Sequence, residues 1–364
     1  MSGSVGGVSD YGALGIAISS SATVRANLDT LTAQVSTGLV ANDYAGLGTA
    51  ASVSISINPL LAQQQTWQSN IDAATASMSV TQTAMTQIQS IATDFYAQLN
   101  NLNGLDGSEI DSVSAAARQA LQQVAGLLDT TDGSGNYVFA GQDSGNPPVP
   151  SPDAILSSGF YTQIDAAVGT LSVQGASATA AATLSIASSN ATGTSPFSTY
   201  MSQSAAALAA AAPAARVGAE ASVTVGLSAS ANTFVTSTGS STTGSYMRDL
   251  MRALATIGSL SSGQASDPNF AALVQDTRIS LDGATTAMSA DAGVLGTLQS
   301  GLADTKTSIQ GMSAALTTQL SSTQDVDQAE AISKLQLTQT QLQASYQVIA
   351  TLNGLSLAKF LPSA

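Results

Sequence analysis

Apolar residues recur at both ends of the chain in alternating steps of four and three. That is the period of a helix meeting another helix along a seam. The first seam runs Ala17, Ser21, Val24, Leu28, Leu31 and Val35 and stops at Ser36, Thr37 and Gly38. Gly38 suits the left-handed residue that often ends a helix. The second seam is unbroken from Leu60 through Trp67, Ile71, Met78, Met85, Ile88 and Phe95 to Leu102, with only Gln64 and Thr81 polar. Pro59 fits its first turn. The resulting helix is about 60 Å long, beyond the usual length in a globular domain. A third helix is expected over 109–130, capped by Ser108, with Ile110, Val113, Ala117, Ala120, Val124 and Leu127 as its stripe.

The texture then changes. DGSG at 132–135 is turn chemistry, and NYVFAG reads as a short strand. From 142 to about 244 the chain is rich in Ser, Thr, Ala, Gly and Pro. Within it ATLSIASS and ASVTVGLSAS alternate like strands, while AAALAAAA at 205–212 reads as helix. Helical periodicity resumes at Tyr246, with Leu250, Leu254, Ile257 and Leu260. SDPN at 266–269 starts a second long helix, seamed by Phe270, Val274, Leu281, Met288, Leu295, Leu302 and Ile309 and ending near QDVD at 324–327. The terminal helix has Leu335, Leu342, Ile349 and Leu352 as its stripe.

The layout is nearly symmetric, with a short and a long helix before the central segment and a long and a short one after it. Long helices of matching length pair antiparallel and bring the two short ones together. The expected fold is mainly α: a long antiparallel coiled-coil helical bundle built by N- and C-terminal arms, with a small mainly-β (α+β) central insert, forming a rod. The expected domains are 1–42 with 325–364, 43–141 with 245–324, and the insert 142–244.

Composition narrows the chemistry. The chain lacks Cys and His, which removes thiol and imidazole catalysis and nearly all zinc chemistry. A net charge of -14, with nine scattered basic residues, argues against nucleic acid and anionic membranes. No run is apolar enough to span a membrane, and the N-terminal stretch MSGSVGGVSDYGALG lacks the features of a cleaved secretory signal. No cofactor is expected. Asp325, Asp327 and Glu330 group three carboxylates, but acids at a helix start are stabilised by its dipole. Asp94, Asp106, Glu109 and Asp111 read as a solvated face and a helix cap, and no carboxylate pair flanks a recognisable cleft.

One stretch sets the functional question. From Leu335 to Ala358 the only polar side chains are Gln, Thr, Ser, Tyr and Asn, with no charge. A helix apolar on one stripe and uncharged elsewhere expects neighbours on several sides. Charges buried against copies of themselves are costly, whereas Gln, Ser and Thr can hydrogen-bond to a neighbour.

Several motifs in this layout resemble the bacterial flagellin family. VSTGLVANDYAGLG at 35–48 is similar to the family's turn after the first helix, through Ser36, Thr37, Gly38, Leu39, Asp43, Ala45, Gly46 and Leu47. It is several residues shorter, and Tyr44 replaces one Asp of the usual pair. GSGNYVFAGQDSGNPP at 133–148, through Tyr137, Phe139, Ala140 and Gly141, resembles the motif closing the helical part of the family's hook–filament junction members. DVDQAEAISKLQ at 325–336 resembles the entry into the family's C-terminal helix, and LQASYQVIATLNGLSLAKFL looks more like a junction-type ending than a filament-type one. The resemblance covers both helical arms and not 145–243.

It implies a non-enzymatic structural subunit of the flagellum, exported through the type III channel to the cell exterior. The implied partners are copies of itself, other axial proteins on the hook and filament sides, and an export chaperone on the C-terminal helix. The implied role is hook–filament junction protein, with a divergent filament flagellin as alternative; another secreted coiled-coil protein is more remote. The expected assembly interface comprises Val24, Leu28, Leu31, Val35, Leu335, Leu342, Tyr346, Ile349, Leu352 and Leu355. The expected bundle core comprises Trp67, Ile71, Met78, Met85, Ile88, Phe95, Phe270, Leu281, Leu295, Leu302 and Ile309.

Overall fold

The computed structural model describes residues 6–104 and 106–358. In chain order it forms α1 (Gly6–Thr37), α2 (Ala51–Asn101), α3 (Gly107–Leu128), α4 (Gly159–Gly169), α5 (Leu171–Gln174), α6 (Ala176–Ser188), α7 (Ala205–Ala210), β1 (Ala214–Arg216), β2 (Ser222–Thr224), α8 (Tyr246–Gly258), α9 (Phe270–Gln324) and α10 (Gln328–Ala358). The fold is mainly α, with long helices toward both ends and one two-stranded antiparallel sheet in the insert. The chain divides into two compact units. One takes the chain up to Gln64 and from Gln310; the other is Gln65–Ile309. The boundary falls inside α2 and α9, not at a turn.

In the first unit α1 packs along α10. Gly38 closes α1 at φ 74°, and its N–H donates to the Gln34 carbonyl at 2.8 Å. Two backbone bonds then tie this turn to the start of α10. Val40 N–H donates to the Gln324 carbonyl at 2.7 Å, and Val326 N–H to the Gly38 carbonyl at 2.9 Å. Asp327 Oδ1 caps α10 by accepting the N–H groups of Ala329 at 2.9 Å and Glu330 at 3.1 Å. Gln64 Nε2 meets Met312 Sδ across the pair of long helices, and its Oε1 accepts from Ser313.

In the second unit α2 and α9 run antiparallel. Lys306 pairs with Asp72, Gln89 donates to Ser289, and Arg278 donates to Asn100 at 2.7 Å, so the numbers rise on one helix as they fall on the other. Ile71, Met78, Met85, Ile88 and Phe95 from α2, with Phe270, Leu281, Leu295, Leu302 and Ile309 from α9, are buried; Trp67 is half-buried. Thr81 sits in the same core because its hydroxyl donates back to the Ser77 carbonyl at 2.9 Å. α8 is buried on every face and packs on α3, α4 and α6. Its terminal carbonyl, at Gly258, accepts from Arg118 Nη1 at 2.6 Å and Tyr161 Oη at 2.9 Å, which places a cation at the negative end of its dipole.

Five local expectations are corrected. α2 begins at Ala51, so Pro59 lies inside the helix rather than in its first turn. The break is cheap because the carbonyl that loses its partner, four residues back, belongs to exposed Ile55. The cap of α3 is Asp106, not Ser108. Asp106 Oδ1 accepts from Glu109 N–H and Glu109 Oε2 accepts from Asp106 N–H, both at 2.9 Å, a reciprocal capping box. NYVFAG is a turn rather than a strand. Val138, Phe139 and Ala140 are consecutively buried, which a two-faced strand cannot do, and Ala140 N–H folds back to the Tyr137 carbonyl. ATLSIASS lies in α6, where Thr179, Ala180, Thr183 and Ala187 form one buried face at helical spacing. ASVTVGLSAS is extended only at β2, paired with β1.

Candidate assembly surface

The surface is built from two helices that cover each other along one stripe. Val24, Leu28, Leu31 and Val35 of α1 are half-buried, as are Leu335, Leu342 and Ile349 of α10. The side chains of Leu352 and Leu355 lie outside the described residues. Burying one stripe leaves the remaining faces open. Ile16 and Ile18 on α1, with Ile332, Leu337, Tyr346 and Val348 on α10, are each more than two-fifths exposed. Tyr346, expected in the interface, is thus exposed here. Completing the burial of such a half-exposed aliphatic side chain contributes about 1 kcal/mol.

The polar residues between them have hydroxyls that are already bonded within the helix. Thr23, Thr30, Thr32 and Thr37 on α1 donate their hydroxyls to the carbonyl four residues earlier, and so do Ser333, Thr338, Thr340, Ser345 and Thr351 on α10. Each hydroxyl proton already has an acceptor, so covering it forfeits little. The charged residues of α10 stand at its start, where Glu330 and Lys334 pair at 2.8 Å.

The remaining motif residues serve turns. Ser36 and Thr37 are exposed beside Gly38. Asp43 Oδ1 accepts from Gly46 N–H at 2.7 Å, and Tyr44 Oη accepts from Asn58 Nδ2 at 3.3 Å. A Cβ on Gly46 would stand 2.5 Å from Ala41 Cβ, so this turn admits only glycine without rearrangement. Asp325 bridges to Leu39, Asp327 caps, and Glu330 is ion-paired. Among the described residues no three acidic side chains gather as metal ligands, and no helix is long and apolar enough to cross a membrane. Tyr137, Phe139, Ala140 and Gly141 belong to the second unit. The Phe139 carbonyl accepts from Ala229 N–H at 3.0 Å, fastening the end of the helical arm to the insert.

Sequence reasoning missed a buried polar network around α8. Asp291, fully buried, accepts from Tyr246 Oη at 2.7 Å and Phe234 N–H at 3.0 Å. Burial, with Asp291 beside it, holds the Tyr246 hydroxyl well above its usual pKa. Arg252 donates to the Ser241 carbonyl and hydroxyl and lies 3.7 Å from Asp276. Burial raises the Asp249 carboxyl, against bonds from Thr242 and Thr243. The available signal was the run Arg248, Asp249 and Arg252, three charges within five residues of a charge-poor chain.

Two family models match the chain. One, described as the bacterial flagellin N-terminal helical region, matches residues 8–144; the other, the bacterial flagellin C-terminal helical region, matches 279–361. No curated protein matches the chain significantly.

Proposed function

We propose, for a chain that belongs to the bacterial flagellin family, the role of hook–filament junction protein. The coarser function follows from membership: this is a structural, non-enzymatic subunit of the extracellular flagellum, of a family that polymerises with itself. The finer reading is that assembly proceeds through α1 and α10. The observation that carries it is the set of exposed aliphatic residues on two charge-poor helices, α10 being uncharged from Leu335 onward, where Thr hydroxyls already donate within the helix. Contacts of this kind between different patches on identical subunits generate an open helix.

In this reading 1–42 with 325–364 is the terminal-helix domain, 43–141 with 245–324 the bundle, and 142–244 a surface module. The partners are further copies, hook-side and filament-side axial proteins, and an export chaperone on α10 during passage through the type III channel. The junction role rests on the GSGNYVFAG and LQASYQ stretches. The shortened turn at 35–48 favours the second reading, a divergent filament flagellin.

Negative-stain electron microscopy of purified protein with hook fragments as seeds separates the two. The junction role predicts short collars on the seeds that then support added flagellin. Long filaments grown by this chain alone would establish the filament role instead. Failure to bind seeds or polymerise, with or without salting-out, would remove both.

A further inference from the structure

Away from the terminal helices, Arg248 is a buried cation with no carboxylate in direct contact, the nearby Asp249 acting on it only at longer range. It lies in the first turn of α8 and is only 6% exposed. Nε donates to the Ser230 carbonyl at 2.9 Å. Nη1 donates to the carbonyls of Ala187 at 3.0 Å and Ser189 at 3.2 Å, and Nη2 to Asn190 Oδ1 at 2.6 Å. These bonds use four of the five guanidinium N–H groups, and every acceptor is neutral. The Phe197 ring centre lies 5.0 Å from the guanidinium carbon. Asp249 turns its carboxylate to the Thr242 hydroxyl and the Thr243 N–H instead. Among the described residues Arg248 has no ion pair. Burial pulls its pKa down to about 10, so it stays charged at neutral pH.

This cation borders a solvent-open cleft with about 490 Å³ of free space. Hydroxyls of Ser188, Thr243 and Ser245 and amides of Asn190 and Gln203 line it, and no carboxylate does. The N-terminus of α8, capped by Ser245, opens onto the same cleft and adds its positive dipole end. A buried guanidinium with no anion in contact stays costly even with Asp249 nearby, and a bound anion relieves that cost.

We propose that this cleft binds a carboxylate-bearing sugar, with the acid on the remaining Arg248 N–H and the ring hydroxyls on Asn190 and Gln203. A single guanidinium balances one negative charge, which favours a carboxylate over a dianionic phosphate. The hydroxyl and amide lining favours a polyhydroxylated acid over an apolar one. The site is independent of how the chain assembles.

The test is an NMR titration of the full-length soluble chain with D-glucuronate, reading the Arg248 Nε–H and the side-chain amides of Asn190 and Gln203. D-glucose, acetate and sulfate are titrated in parallel. Saturable shifts with glucuronate are expected, at affinity at least about tenfold above each of the other three. Gln203 is exposed, so Gln203→Glu should keep the native melting temperature while a second carboxylate at the cleft weakens glucuronate at least about tenfold. Absence of saturable shifts at tens of millimolar glucuronate would overturn the site. Acetate or sulfate binding as tightly would overturn the sugar assignment, and unchanged affinity in Gln203→Glu would overturn this cleft as its location.

Discussion

At the scale of single residues, stability rests on polar groups that find partners where the sequence supplies few charges. Asp129 is an exception. It stands at the C-terminal end of α3, where the helix dipole disfavours an acid, and accepts one bond, from Val149 N–H at 2.9 Å. Burial raises its carboxyl from an ordinary 3.8 to about 6. Between those values the folded chain holds a proton that the unfolded chain has released. The stability this lends is present below the ordinary pKa and is lost as pH rises through about 6. Asp129→Asn keeps an acceptor for Val149 and removes the charge. Its melting temperature should exceed the parent's by a few degrees at neutral pH, and the difference should vanish near pH 4. Equal melting temperatures at both pH values would show that the carboxylate is not strained by burial.

At the scale of elements, the turn that ends α1 depends on one backbone conformation. Gly38 holds φ 74°, a region that costs an L-residue about 1–2 kcal/mol. A Cβ there would make only an ordinary contact with Gln328 Nε2 at 3.4 Å, so the backbone conformation carries the cost. Gly38→Ala should therefore loosen the two backbone bonds that flank it. Hydrogen exchange at Val40 and Val326 N–H should quicken by about tenfold, with exchange in α3 and α8 unchanged. Unaltered exchange at those two amides would show that the turn does not need the left-handed residue.

This turn was legible in the sequence, as were the long helices, because four-and-three periodicity and a terminal glycine act locally. The helix Ala176–Ser188 was not. Its Thr and Ala face is buried by the nearby α4 and by α8, which lies some 60 residues further along the chain, and the Leu184 and Ile186 alternation that mimicked a strand is half-buried on the helix flank. The cap of α3 was misplaced by two residues because three consecutive positions, Asp106 to Ser108, can all serve. The candidate surface on α10 was suggested by its absence of charge. The Arg248 cleft was not legible, since its cation is buried by segments some 60 residues away in the chain.

At the scale of the whole molecule, burial is divided unequally between the two units. Among the described residues of the first unit only Leu47, Ser54, Ile57, Gln64 and Ala331 are buried. The second unit holds the entire hydrophobic cluster, from Ile71 to Ile309. Two helices that share one half-buried stripe gain little against the backbone entropy of ordering them. In the dilute subunit they should open locally far more often than α8 or the helix pair from Ile71 to Phe95. A nonspecific protease at low concentration should therefore cut within α1 and α10 first and leave a stable fragment spanning 65–309. Mass spectrometry of the time course reads the order of cuts. On the proposed assembly route, the balance changes without changing the chain, because a neighbour would cover Ile16, Leu337, Tyr346 and their companions. The same protease should then leave both helices intact in the polymer. Terminal helices as resistant in the dilute subunit as the second unit would mean that the α1–α10 stripe is sufficient by itself, and the exposed aliphatic faces would lose their claim to be an interface awaiting a partner.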